Sequence, residues 1–283
     1  MNMEGSQQLA SKPKRNVSIA IVPVLLVVIT FLFWRETWFG RKLPDREMSQ
    51  YLTDTSVPHK TQHALAQMAE RMARGDASVR RWYPQVLVLA GNQEAEFRQM
   101  AAWVMGQDNS SQDFHQALRK LLADPQPLVQ WNAALALVRF GDASGVPQLR
   151  RMLKPYTLLA NQGGNLTFQL KEKDPVKSGS VVARIQFGDA TPIDVRSPLA
   201  GQIQQRVVKD GATVSPGVSI AIISPGEAQV WESLRALYFV GQSQDLEDVE
   251  RFARGVPGMS DRVKQQAELT AQAIRRRPHG GSP

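Results

Sequence analysis

The chain has 283 residues, and its 42% hydrophobic and 21% charged content is typical of one large globular domain or two ordinary ones. It contains no cysteine, which excludes disulfides, thiolate metal sites and cysteine nucleophiles. Much of the net charge of +8 lies at the two ends, with net +2 in residues 1–16 and +3 in residues 275–277. The remainder is nearly balanced, so we expect no nucleic-acid partner.

An uncharged apolar segment, Val17–Trp34, follows the basic N-terminal tail of residues 1–16. As a helix it would span roughly 27 Å, close to the hydrocarbon thickness of about 30 Å. Aromatic residues cluster at its end, as at a membrane interface, and no small-residue cleavage site follows it. We therefore predict an uncleaved transmembrane helix with an interfacial belt over residues 17–38, which contacts the lipid bilayer through Val17–Trp34.

The orientation of this segment is less strongly indicated, because basic residues flank it on both sides. A short basic tail ahead of a long C-terminal portion usually stays in the cytoplasm. The pattern therefore favours a single-pass protein of the bacterial inner membrane, with the C-terminal portion in the periplasm.

Residues 43–155 carry apolar stripes at helical spacing, and the stripes are interrupted where Asp124-Pro125 and Gly141-Asp142 would end helices. The same order of features occurs about 31 residues earlier, with Ala101-Ala102 in the place of Ala133-Ala134. A period of this length indicates stacked helix pairs, and the small alanines would let neighbouring helices approach closely.

This pattern resembles the HEAT-repeat family in its short bacterial form. The matching features are a leucine pair, the Asp-Pro turn, the Ala-Ala pair and the closing Gly-Asp, and they are most specific over residues 97–153. Two further helices are predicted at His63–Met72 and Val79–Leu89. Helical spacing returns over residues 227–276, ahead of a short tail at 277–283. The resemblance implies a helical solenoid whose open faces bind other proteins.

Residues 156–226 interrupt the helical pattern with alternating apolar and polar positions, which predict strands. Residues 170–185 align without gaps to residues 208–223. Two similar halves of about 38 residues predict a pseudo-twofold all-β unit. The alignment pairs Lys171 with Lys209, Val176 with Val214, Gly179 with Gly217 and Ala183 with Ala221.

The two aligned turns, together with Ser197–Gly201 at the start of the second half, resemble the biotinyl/lipoyl-type barrel-sandwich hybrid. In carrier members of that family, a lysine in the hairpin between the halves bears the cofactor. Here the connecting stretch 186–194 contains no lysine, and the expected position falls at or beside Ala190. The resemblance therefore implies a module without a cofactor. The displaced candidates for modification are Lys171, Lys173 and Lys177.

Periplasmic adaptor proteins of export systems also place this β unit after one N-terminal membrane helix. They usually insert a long helical hairpin between the two halves, whereas this chain has only a short turn there. An adaptor that assembles into a ring of identical copies is therefore the alternative interpretation.

Other residue patterns have simple structural interpretations. His59 and His63 are spaced to share a helix face as metal ligands, but no third ligand is near them in sequence, so we expect a surface pair. The acidic run from Asp245 to Glu250 is expected on a solvated helix face. Four tryptophans fall on apolar helical positions and are expected in the core: Trp82, Trp103, Trp131 and Trp231.

The predicted fold class is α+β multidomain, with one transmembrane helix, an α-solenoid of HEAT-like pairs and an inserted all-β barrel-sandwich hybrid. We predict no catalytic residue, cofactor or metal site. The predicted function is a non-enzymatic, membrane-anchored scaffold that binds a membrane or envelope protein as accessory subunit of a membrane complex. A homo-oligomer is compatible with either interpretation.

Overall fold

A computed structural model describes residues 41–277. Within the described part, residues 49–277 belong to one compact unit and residues 41–48 to another. The predicted N-terminal tail, transmembrane helix and aromatic belt, and the last six residues of the C-terminal tail, lie outside the described part. Within residues 41–277, no helix is both long enough and apolar enough to cross a bilayer.

Ten α-helices form nearly half of the described chain, on both sides of a sheet region. Short 3-10 turns at Ala77–Trp82, Ala143–Gly145 and Ser243–Asp245 precede three of them. The helices are α1 Asp45–Thr53, α2 Pro58–Ala73, α3 Tyr83–Leu89, α4 Ala95–Met105, α5 Gln112–Leu121, α6 Pro127–Arg139, α7 Val146–Met152, α8 Glu227–Val240, α9 Leu246–Ala253 and α10 Asp261–Arg276.

From α2 onward the helices form a repeat stack. The even-numbered helices α2, α4, α6, α8 and α10 contact one another in order. Each of the shorter odd-numbered helices, α3, α5, α7 and α9, packs against the even-numbered helix that follows it. The helical repeat region and the sheet region of the predicted fold class are therefore both present. The helix predicted at Val79–Leu89 is instead a 3-10 turn followed by α3. Pro84 lies in the first turn of α3, where proline is favoured because its missing N–H has no helical partner to lose.

The repeat stack continues across the inserted sheet region. Trp131 of α6 donates its indole N–H to the hydroxyl of Ser233 in α8 at 3.0 Å, and the Gln229 amide donates to the Met152 carbonyl at 3.0 Å. Buried side chains of α6 and α7 form one core with those of α8, α9 and α10. Residues separated by about a hundred positions therefore pack as sequential repeats.

Each turn after α4, α6 and α8 contains an aspartate that the preceding odd-numbered helix contacts. Tyr83 of α3 donates to Asp108 at 2.6 Å, and His115 of α5 lies 2.7 Å from Asp142. Arg150 of α7 lies 3.4 Å from Asp245. These contacts join successive helix pairs along one edge of the stack.

The environments of two of these aspartates shift their pKa values in opposite directions. Burial alone would raise the pKa of Asp142, but hydrogen bonds from Ser144 and His115 outweigh it and hold that pKa below its ordinary value. At Asp245, burial dominates and raises the pKa, because the Gln242 backbone bond and the Arg150 charge offset it only in part. Asp245 is fully buried, so the expectation of a solvated acidic face was wrong at this position.

Small residues set the spacing between α6 and its neighbours. A Cβ on Gly145 would lie 2.7 Å from both Cα and Cβ of Ala134, and a Cβ on Gly106 would lie 2.8 Å from the Ala136 Cβ. Ala133 and Ala134 are completely buried. The Ala-Ala pair and the glycines therefore allow the close approach that the sequence pattern predicts.

The sheet region contains two four-stranded antiparallel sheets, in the orders β1-β8-β6-β3 and β5-β4-β2-β7. Their inward side chains form a separate apolar core. The strands are β1 Tyr156–Leu159, β2 Gly164–Phe168, β3 Pro175–Val176, β4 Val181–Gln186, β5 Ile193–Arg196, β6 Gly201–Arg206, β7 Thr213–Val214 and β8 Ser219–Pro225. We call residues 156–226 the β module.

The two sheets repeat the same plan, with β5, β4, β2 and β7 corresponding to β1, β8, β6 and β3. Gly179 and Gly217 both have left-handed backbones, with φ of 83° and 82°. The turns also stabilise each other: Asp210 accepts the Phe168 backbone N–H at 2.7 Å, and Glu172 accepts the equivalent Arg206 N–H at 2.9 Å. Each half therefore depends on a carboxylate from the other.

One pair of equivalent positions breaks this correspondence. Lys173 has φ of 71°, whereas its equivalent in the second half is Gly211, with φ of 77°. A left-handed backbone costs a non-glycine residue about 1 kcal/mol or more. The first half therefore contains backbone strain that the second half avoids.

We predict that Lys173→Gly stabilises the β module by about 0.5 kcal/mol and that the reciprocal Gly211→Lys destabilises it by about 1 kcal/mol. No atom lies within 4 Å of a Cβ built on Gly211, so the effect isolates the backbone. Hydrogen exchange of the sheet amides measures it. A change of stability in the same direction in both variants would contradict the assignment of strain to Lys173.

A second prediction concerns helix spacing. Gly145→Ala should destabilise the repeat stack by about 1–3 kcal/mol, because its methyl group overlaps the backbone of Ala134. Urea unfolding followed by tryptophan fluorescence provides the measurement. The matched control is Gly91→Ala, whose methyl meets only the Val88 carbonyl at 3.6 Å and should change stability by less than about 0.5 kcal/mol. A similar loss in both variants would refute the overlap.

Candidate protein-interaction surfaces

A groove of about 300 Å³ crosses the outer faces of α4, α6 and α8. Two exposed aromatic residues stand at its sides: Trp103, 45% exposed, and Phe239, 65% exposed. Between them, half-buried apolar side chains and small residues form the floor. The lining consists of Trp103, Gly106, Gln107, Asn132, Leu135, Ala136, Val138, Arg139, Glu232, Arg235, Ala236 and Phe239.

The position of Trp103 corrects one prediction from the sequence. Trp82 is 1% exposed and lies in the core, and Trp131 and Trp231 are half-buried. Trp103, in contrast, lies on the solvent side of α4, between the buried Ala102 and Val104. Helical spacing did not separate it from the core because apolar residues surround it in sequence on both helix faces.

The charged residues of the groove are mainly basic. The Arg139 guanidinium donates to the Gln107 side chain at 3.0 Å. Arg235 stacks 4.6 Å from the centre of the Trp231 ring and lies 3.4 Å from Glu232, at an exposed site. Exposed ion pairs of this kind contribute little binding energy. The groove therefore combines exposed aromatic rings with arginines, the residue types that dominate binding energy at protein interfaces.

A second exposed apolar surface covers the end of the β module farthest from the helices, which we call the distal end. The hairpin 187–192 is located there, and the Gln162 amide joins it to the end of β1 by donating to the Ile185 carbonyl at 2.9 Å. Among residues 41–277, half of the ten exposed large hydrophobic side chains belong to the β module. They are Leu159, Phe187, Ile193, Val207 and Val218.

The internal duplication shows that three of these apolar residues are not required by the fold. The equivalents of Leu159, Val207 and Val218 in the other half are Arg196, Gln169 and Ser180. The same backbone positions therefore accept polar side chains. An exposed apolar surface that folding does not need is typical of an interaction site.

The hairpin between the halves has the length expected of a short turn. Ala190 is exposed, and its N–H donates to the Phe187 carbonyl at 3.1 Å. Among the displaced candidates, Lys173 lies beside the helices, where it lines a pocket with Glu227 and Arg251. Lys171 and Lys177 lie outside the strands, on either side of β3.

Two of the histidines in the described part of the chain, His63 and His115, contact other side chains. His59 and His63 both lie on α2, and the His63 ring lies 2.8 Å from the Gln67 amide. His115 lies between Asp142 and the Phe140 ring, which stacks on it at 5.1 Å. Among residues 41–277, no three histidine, aspartate or glutamate side chains are arranged to hold a metal ion.

We predict that exchanging the apolar residues of the distal end for their polar equivalents leaves the β module folded. The triple variant Leu159→Arg, Val207→Gln and Val218→Ser should change stability by less than about 1 kcal/mol, because all three side chains are exposed. It should also reduce binding of a hydrophobic dye. A control variant, Leu158→Arg, changes a buried neighbour and should unfold the module. Loss of the fold in the triple variant would assign these residues to the core.

Comparisons with known proteins identify the repeat region. A family model described as HEAT repeats matches residues 83–157. No curated protein matches the chain. One solved structure, an engineered protein from the Northeast Structural Genomics Consortium, aligns at 13% identity with a TM-score of 0.40, covering 81% of this chain and 79% of that chain. Residues 83–157 thus form a HEAT-repeat region, a type of structure that generally serves protein–protein interaction without catalysis.

Proposed function

We propose that this protein is a non-enzymatic, membrane-anchored scaffold that binds a membrane or envelope protein. The observation that carries this proposal is the groove, in which Trp103 and Phe239 are exposed on either side of arginine side chains. A HEAT-repeat region supports a scaffold in general. The apolar Val17–Trp34 segment supports the membrane anchor.

The β module would contribute a second contact through its distal end. Its resemblance to the biotinyl/lipoyl-type barrel-sandwich hybrid is supported by the internal duplication and the two matching sheets. Since stretch 186–194 contains no lysine, we propose that the module acts by recognition and carries no prosthetic group. The proposed location is the bacterial inner membrane, with residues 41–277 in the periplasm and the scaffold an accessory subunit of a membrane complex.

The second candidate function is a periplasmic adaptor that forms a ring of identical copies. The apolar distal end favours it, because self-association would cover Phe187 and Ile193. The short hairpin opposes it, since the usual docking element of such adaptors is missing between β4 and β5.

Site-specific photo-crosslinking in native membranes tests the scaffold proposal. A photoreactive residue at position 239 or 187 should give one heterologous product, whereas the same residue at position 120, on exposed Lys120 of α5, should give none. A ladder of self-crosslinked products would favour the adaptor ring. Equal crosslinking from all three positions, or none from any, would contradict the proposed surfaces.

A further inference from the structure

We propose that the groove over α4, α6 and α8 binds an acidic amphipathic helix of the partner protein. This inference rests on the proposed scaffold function and deepens it by naming the partner's chemistry. It requires that the groove favour a helix over an extended segment, and acidic side chains over basic ones.

The elements that line the groove favour a helical ligand. All of its lining residues lie on α4, α6 and α8 or in the turn after α4, so no open strand edge is available to pair with an extended peptide. A peptide backbone without such a partner would leave its N–H and C=O groups unpaired against apolar side chains. A helix satisfies those groups internally and presents only side chains.

The dimensions agree with a short helix. Neighbouring packed helices lie about 8–10 Å apart, so three of them span roughly 20 Å. A helix of about 14 residues has that length. The floor is shallow but open, because Gly106, Ala136 and Ala236 carry little or no side chain. Apolar anchors of the ligand would contact Leu135 between the flanking aromatic rings of Trp103 and Phe239.

The charge distribution selects acidic side chains. Glu232 is the one carboxylate among the lining residues, against two guanidiniums from Arg139 and Arg235. Within residues 41–277, Arg139 has no carboxylate within ion-pair distance, and its hydrogen bond to neutral Gln107 leaves donors available. Arg235 is held in place by the Trp231 ring. Carboxylates of the ligand would meet preformed arginine donors, which makes complementary charge a source of specificity.

The test uses the full-length chain in a mild non-ionic detergent and three synthetic helical peptides of about 14 residues, followed by fluorescence anisotropy. The acidic peptide carries leucines on one face and glutamates beside them. The second peptide replaces each glutamate by lysine. The third scrambles the acidic peptide so that its leucines share no face. We expect the acidic peptide to bind at least about tenfold more tightly than either of the others.

Variants of the groove separate its two features. Arg139→Glu with Arg235→Glu should remove the preference for the acidic peptide or transfer it to the lysine peptide, while Phe239→Ser should weaken binding without changing that preference. The control is Lys120→Glu on α5, outside the groove, which should change nothing. Unchanged circular dichroism shows that each variant remains folded.

Equal binding of the three peptides, or an unchanged preference in the double arginine variant, would overturn the inference. The inference would also be overturned if no peptide bound while a single-stranded oligonucleotide bound tightly through Arg139 and Arg235. If position 239 crosslinks to a partner while the peptides bind without selectivity, the scaffold function stands and the acidic helix fails. If neither position 239 nor position 187 gives a crosslink in native membranes, the proposed function fails as well.

Discussion

The organisation of this protein depends on the contact between two helix pairs that are distant in sequence. α6 and α7 precede the β module, α8 follows it, and the Trp131–Ser233 and Gln229–Met152 hydrogen bonds join them directly. Without this contact, the helices on either side of the β module would be separate stacks, each with an uncovered apolar face. The groove exists for the same reason, because α8 provides one of its walls.

The β module solves a different packing problem with a duplicated plan. Each sheet combines strands from both halves, so neither half has a complete core by itself. The carboxylates of Glu172 and Asp210, which satisfy backbone donors of the opposite half, extend that dependence to the turns. Interlocked halves of this kind share one apolar interior, while their surface residues can differ. The apolar residues of the distal end and their polar equivalents in the other half are an example of such a difference.

Much of the fold could be predicted from the sequence, because its strongest signals are local. The Asp124-Pro125 turn ends one helix and starts the next. Asp124 accepts the Gln126 backbone N–H at 2.8 Å and hydrogen bonds from Nε and Nη2 of Arg98. The gapless alignment of residues 170–185 with residues 208–223 likewise identified equivalent strands. The groove was not predicted, because exposure of Trp103 and Phe239 depends on how successive repeats stack. Burial of Asp245 was missed for the same reason, since Arg150 reaches it from another repeat.

The entry and exit strands of the β module lie side by side, with Tyr156 of β1 opposite Ile223 of β8. The chain therefore leaves the helices and rejoins them at neighbouring points, as in an inserted domain. A module attached in this way can be lost, exchanged or diversified without altering the register of the helices beneath it. The two proposed binding surfaces, one on the repeat stack and one on the β module, would thus be able to evolve at independent rates.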